Sequence, residues 1–268
     1  MPGVLDGKAA VITGGGTGLG AAIARLFAQH GADVVVTGRS LAPLEEVAGA
    51  TDGLAVVADV ADEADVAALM GRCEDAFGRL DILVNNAGLS GPIAAAEAMD
   101  MAEWDVRFAV NARGVMVCIK HALPIMKRTG GAVVNVSSRM ALYPKGMRSA
   151  YAASKAAVRA ITESVAQEVG RDGIRVNTLV PGAMRTPMTD GLIAERARTE
   201  GRSAEEIVDE SYIQPSVLKR WVEVEECARA ALYLASDASS AVTGTHLVVD
   251  AGRAWGPRVD SGRGVRVY

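Results

Sequence analysis

The chain has 268 residues, half of them hydrophobic and 22% charged, which is enough apolar material for one large α/β core and excludes disorder as the main state. Aromatic residues make only 4%, so alanine, valine and leucine must fill that core. A formal charge of -4, from 28 basic and 32 acidic side chains, offers no concentrated basic surface to nucleic acid.

No uncharged apolar run approaches the ~18 residues of a membrane span, and the opening residues lack the apolar stretch of a signal peptide. A cytoplasmic protein with neither a membrane nor a nucleic-acid partner is therefore expected. Cys73, Cys118 and Cys227 lie far apart and fit neither a disulfide framework nor a zinc cluster, so they read as reduced packing residues. His30, His121 and His246 form no HExxH pair, and no metal is expected.

In chain order, short runs rich in valine and isoleucine fall at 9–13, 34–37, 54–59, 82–85, 132–137, 176–180 and 246–250, each the length of a buried parallel strand. Amphipathic stretches between them, at 19–30, 64–77, 110–127 and 152–169, are long enough for right-handed crossover helices. The alternation predicts a doubly wound, Rossmann-type parallel sheet in a three-layer α/β/α sandwich, as a single domain over residues 1–252. Residues 186–217 break the rhythm with many charges. Ser203-Ala-Glu-Glu206 inside that segment is a capping box that should start a short helix, so a small helical lid is predicted there. Residues 253–268 carry four arginines among glycines and read as a C-terminal tail.

Thr13-Gly-Gly-Gly-Thr-Gly-Leu-Gly20 follows the first strand and opens a helix, where glycines let the backbone approach a pyrophosphate at the positive helix end. Tyr151 and Lys155 are four apart, so on a helix they share a face, and the ammonium can favour the phenolate. A free phenol titrates near 10. Bringing it to about 7 takes ~4 kcal/mol, which Lys155 and an oxidised nicotinamide could jointly supply. Ser137 and Ser138 at the end of the fifth strand are not separable by chemistry alone. Asp59 is equally a turn residue before a helix. At the end of the second strand the acid that would accept from the NAD ribose is missing, and Arg39 stands there instead, which favours NADP(H) and leaves NAD(H) open. Asp33 lies at the wrong end of that strand.

These motifs and their order resemble the short-chain dehydrogenase/reductase family, from about Asp6 to Gly252. The resemblance makes Gly14, Gly16, Thr17, Gly18, Leu19 and Gly20 the phosphate turn, Asp59 and Val60 the adenine-side pair, and Asn86, Ala87 and Gly88 the motif after the fourth strand. It makes Asn111, Ser138, Tyr151 and Lys155 a catalytic tetrad, with Tyr151 and Lys155 also touching cofactor. Pro181, Gly182, Met184 and Thr186 would form the nicotinamide-side loop. It implies an oxidoreductase interconverting a secondary alcohol and a ketone, in a homotetramer or homodimer. A 3-oxoacyl-thioester reductase would share all these motifs, whereas a non-catalytic dinucleotide sensor on the same fold would have no need of the acid/base pair that Ser138, Tyr151 and Lys155 preserve. Between Ser138 and Tyr151 the chain carries Arg139, Lys145 and Arg148 and no acid. Arg148, with Arg185 from across the site, is a candidate anchor for an anionic group on the substrate.

Overall fold

The computed structural model describes residues 3–253. Seven strands form one parallel sheet in the order β3-β2-β1-β4-β5-β6-β7. They are β1 (Ala9–Thr13), β2 (Asp33–Gly38), β3 (Leu54–Val57), β4 (Ile82–Asn85), β5 (Gly131–Val136), β6 (Ile174–Pro181) and β7 (His246–Val249). All central strands are buried on both faces, which is why they read as continuous apolar runs rather than alternating ones. Strand order reverses between β1 and β4, so the crevice beyond their carboxyl ends is where this architecture takes ligands.

Side chains alternate across the sheet. Ala10, Ile12, Val34 and Val36 point to one core, packed by α1 (Gly18–Gln29), α2 (Leu41–Thr51) and α9 (Val224–Ala235) through residues such as Phe27, Leu44 and Leu234. Ala9, Val11 and Val35 point to the other, packed by α3 (Glu63–Phe77), α5 (Gly114–Met126) and α6 (Ser149–Val169) through Leu69, Ile119 and Val165. Cys73 and Cys118 are buried in this second core and Cys227, on α9, in the first, all as free thiols pushed up to about 12 by desolvation.

The helix expected over 110–127 is present as α5 but is the continuation of an earlier one. It begins at α4 (Met101–Phe108), widens into a π-helical turn at Ala109–Arg113, and resumes as α5. The reason is Asn111, whose side chain both accepts from Leu89 N (2.7 Å) and donates to Leu89 O (2.9 Å), which a regular turn does not have to accommodate. The segment after β6 forms α7 (Pro187–Glu200) and α8 (Ala204–Val208). Ser203 caps α8: its Oγ accepts from Glu206 N, and Glu206 Oε2 accepts from Ser203 N at 3.0 Å. No helix among the described residues is long and apolar enough to cross a membrane.

Candidate active site

The glycine turn between β1 and α1 is held from the neighbouring strand. Asn86 N and Ala87 N both donate to Thr13 Oγ1 at 3.0 Å, while Asn86 Nδ2 donates to the Thr13 and Gly14 carbonyls at 3.0 and 3.1 Å. Gly14 sits at φ +62°, and a Cβ on Gly20 would lie 2.1 Å from Gly14 O, so neither position admits a side chain. Thr17 begins α1 with no side-chain cap, and no acid stands in the first turn. The leading amides of this helix are therefore left to an anion.

A cavity of about 270 Å³ runs from this turn to α6, lined by Gly14, Thr17, Gly18, Leu19, Asn86, Ala87, Gly88, Ser138, Tyr151, Lys155, Pro181, Gly182, Met184 and Thr186. A second, of about 160 Å³, brings Arg39, Asp59 and Val60 to Ala87 and Gly88. Two of the predicted cofactor residues line neither: Gly16 packs against Pro43 and Leu44, and Gly20 against the turn itself. Asp59 lines its cavity and also accepts from Ala61 N at 2.9 Å, so the turn role and the site role coexist.

Tyr151 and Lys155 lie on the first turns of α6, directed into the larger cavity. Burial pushes the Tyr151 phenol up, while a hydrogen bond from Ser138 and the charge of Arg148 pull it back. The Arg148 guanidinium stands 5.4 Å from the centre of the Tyr151 ring. Lys155 is buried and donates to Val136 O at 2.8 Å; desolvation lowers its pKa to about 8. Arg148 thus adds a second cation beside the phenol, and Lys155, expected there from its spacing, sits one helical turn along in the same cavity.

The two serines separate cleanly. Consecutive residues leaving a strand face opposite ways, so the buried Ser137 Oγ donates to Lys155 O at 2.7 Å while Ser138 meets Tyr151. Asn111 is fully buried and lies behind the cavity, its Nδ2 donating to Ser154 Oγ at 3.0 Å, which in turn donates to Tyr151 O at 2.9 Å. The bridging roles of Thr13, which the sequence shows only as the start of the glycine motif, and of Ser154 are not legible in the sequence, because a hydroxyl's backbone partners depend on which segments the fold brings together.

A third cavity of about 160 Å³ adjoins Ser138 and Tyr151 and is roofed by Met188, Thr189, Leu192 and Tyr212 from the 186–217 segment. Arg148 lines it. Arg185 does not; it is exposed, while its neighbour Met184 is buried and bridges to Val222. Arg253, assigned by sequence to the tail, lines this cavity and donates to Ser211 O at 3.1 Å. The rest of that predicted tail lies outside the described residues.

Known proteins are similar to this chain over most of its length. A family model described as enoyl-(acyl carrier protein) reductase matches residues 14–254. A D-beta-hydroxybutyrate dehydrogenase of Rhizobium meliloti (strain 1021) is 38% identical over 91% of this chain and 98% of its own length. A cis-4-hydroxycyclohexanecarboxylate dehydrogenase of Sinomonas cyclohexanicum is 42% identical over 91% of this chain and 96% of its own. The crystal structure of a levodione reductase superposes with a TM-score of 0.87 at 36% identity, covering 93% of this chain and 98% of that one.

Proposed function

The chain belongs to the short-chain dehydrogenase/reductase family of NAD(P)-dependent oxidoreductases, and from that premise we propose that it interconverts a secondary alcohol and a ketone using NADP(H), with Tyr151 as the acid/base. The observation that carries the reading is the meeting of Tyr151 with Ser138 in a cavity continuous with the uncapped start of α1.

In reduction, Tyr151 donates its phenolic proton to the substrate oxygen; in oxidation it takes that proton back. Ser138 donates a hydrogen bond to the same oxygen, fixing its place. Lys155, one helical turn along, holds its ammonium on the Val136 carbonyl at the floor of the cavity, where Gly88 leaves room: a Cβ on Gly88 would lie 3.2 Å from Lys155 Nζ. Asn111 is a positioning residue, acting through Ser154 on the backbone that carries Tyr151. The uncapped α1 amides fit a pyrophosphate, and the nicotinamide, when bound, supplies the hydride. Arg39 is exposed at the end of β2 and pairs with no carboxylate among the described residues, which suits the NADP phosphate better than a bare ribose hydroxyl. Assembly as a homotetramer belongs to the same reading; Met101, Val106 and Met116 expose an apolar surface on α4 and α5 that a second copy would cover.

Tyr151→Phe should lower kcat at least a hundredfold, the usual yield of general acid/base catalysis being 10² to 10⁴, with NADPH affinity nearly unchanged. More than a tenth of the activity remaining would remove Tyr151 from this role. Stable NADPH binding without turnover across a carbonyl panel would favour a dinucleotide sensor, and selective use of acyl thioesters a 3-oxoacyl-thioester reductase.

A further inference from the structure

The cavity beside Tyr151 carries more positive charge than one carboxylate can answer. Five cationic side chains line it: Arg139, Lys145, Arg148, Arg220 and Arg253. Arg220 is answered by Glu226 through two hydrogen bonds of 2.7 and 2.8 Å, and Asp250 is the sole acid in the lining. Setting one cation against each of these acids leaves three without a matching acid among the described lining residues. They come from separate stretches of chain, since Arg139, Lys145 and Arg148 follow β5 while Arg253 follows β7.

Two arginines of the neighbouring 186–217 segment find acids, Arg196 with Glu200 and Arg202 with Glu210. The cavity arginines behave differently. Arg148 is 7% exposed, donates one hydrogen bond to Ser90 O at 3.2 Å, and buries an Nε with no partner among the described residues. Arg139 and Lys145 form no side-chain hydrogen bond or ion pair there. The gathering works against itself: desolvation, then repulsion from Arg253, Arg139, Arg196 and Arg148, brings Lys145 down to about 8, although that residue keeps an exposed edge. Desolvation and the charge of Arg139 bring Arg253 down to about 10, with Asp250 acting in the opposite sense. Mutually repelling cations around a small cavity are stabilised by an anion brought from outside.

We propose that the cavity is a subsite for a doubly charged anion, so that the substrate is a hydroxy or oxo compound bearing two oxyanionic groups, one held by Arg148 against Tyr151 and the other by Arg139, Lys145 and Arg253. The placement explains why an anchor belongs at Arg148. An anionic group on that guanidinium lies beside the Tyr151 ring, and the neighbouring carbon falls to the phenol and to Ser138. The second group reaches under the roof formed by Tyr212 and Leu192. One charge accounts for Arg148 alone and leaves the others opposed by nothing but Asp250. The proposal rests on the hydride-transfer reading for what happens to the substrate, not for what binds.

The test is calorimetric titration of the NADPH-bound protein with glutarate, monomethyl glutarate and dimethyl glutarate, with a phosphonocarboxylate alongside to separate a second carboxylate from a phosphoryl group. Each charge-assisted contact is worth ~10 to 100-fold, so the dianions should bind at least tenfold more tightly than the monoester, and the diester not measurably. Arg139→Gln with Arg253→Gln should erase the advantage of dianion over monoanion while leaving the monoanion on Arg148. Lys145→Gln, on an exposed loop, reads the same advantage should the double variant lose its fold, and should reduce it severalfold. Equal binding of dianion and monoester, or an advantage untouched by these variants, overturns the proposal. Binding is read without turnover, so dianion selectivity that persists in Tyr151→Phe supports the subsite even where the catalytic reading fails. Rapid turnover of neutral ketones with no gain from acids overturns the subsite alone.

Discussion

The two edges of the sheet treat buried charge in opposite ways. At the amino-terminal edge, Asp81 is 1% exposed; it accepts from Ala9 N at 2.9 Å and from Arg79 at 2.6 and 2.7 Å, and Lys8 stands 4.0 Å away. Its contacts are complete, and the pairing holds the Arg79 guanidinium above its ordinary range. At the carboxyl edge, Lys155 is 3% exposed with a single carbonyl to donate to, and Arg148 is buried beside a phenol. Charge that is finished by its neighbours holds the β1–β4 strand ends together. Charge left unfinished lowers stability, and it persists where a ligand or a reaction completes it.

Lys155→Met would sharpen this contrast most. The depression of Lys155 from 10.5 to about 8 corresponds to roughly 3 kcal/mol against folding. The sign follows from proton counting. Below about pH 8 both folded and unfolded chains carry the proton and the penalty is complete; from there to 10.5 the unfolded chain holds more protons than the folded one, so stability rises with pH and the penalty disappears. Urea unfolding of cofactor-free protein should therefore find Lys155→Met the more stable at pH 7 by up to about 3 kcal/mol, with the gap closing as pH rises, while kcat falls at least a hundredfold. A variant less stable than the parent at every pH would break the contrast.

Arg39→Asp tests an unpaired cation at the same edge, but an exposed one. Losing a charge-assisted contact worth ~1.5 to 3 kcal/mol should move the ratio of kcat/KM for NADPH over NADH by ~10 to 100-fold toward NADH. A parent protein that already prefers NADH would remove Arg39 from cofactor choice.

Asp81→Asn probes the finished edge and should have the smallest effect. Weakening the Arg79 and Ala9 contacts should lower unfolding stability by about 1 to 3 kcal/mol, read as a lower denaturation midpoint, with kcat unchanged. A fall in kcat comparable to that of Lys155→Met would mean that the two edges are not independent.

Much of the molecule was legible because its constraints are local. A parallel strand buried on both faces must be apolar throughout, so the central runs stand out in the sequence, and β-branched residues mark the half-buried edge runs of β3 and β7 as well, with ends misplaced by at most two residues. The glycine turn is legible for a similar reason: the left-handed Gly14 and the crowded Gly20 are demands of backbone geometry that only glycine meets. Helical spacing put Tyr151 and Lys155 on one face of α6.

Tertiary structure alone decided which charge each of these groups meets. Spacing put Lys155 on the face of Tyr151, but that its ammonium also meets the Val136 carbonyl, and that Arg148 stands over the ring, was not in the spacing. The π-helical turn at Ala109–Arg113 came from the contacts of Asn111 with Leu89, 22 residues away, and nothing in the helical periodicity announces it. Arg185 went to solvent because Met184 beside it went to the core, a choice set by the bridge to Val222. Arg139, Asp250 and Arg253 meet in one cavity because β5 and β7 both flank β6 and end at the same edge of the sheet. Backbone shape is imposed residue by residue and can be read along the chain; electrostatic company depends on which distant segments the sheet brings together.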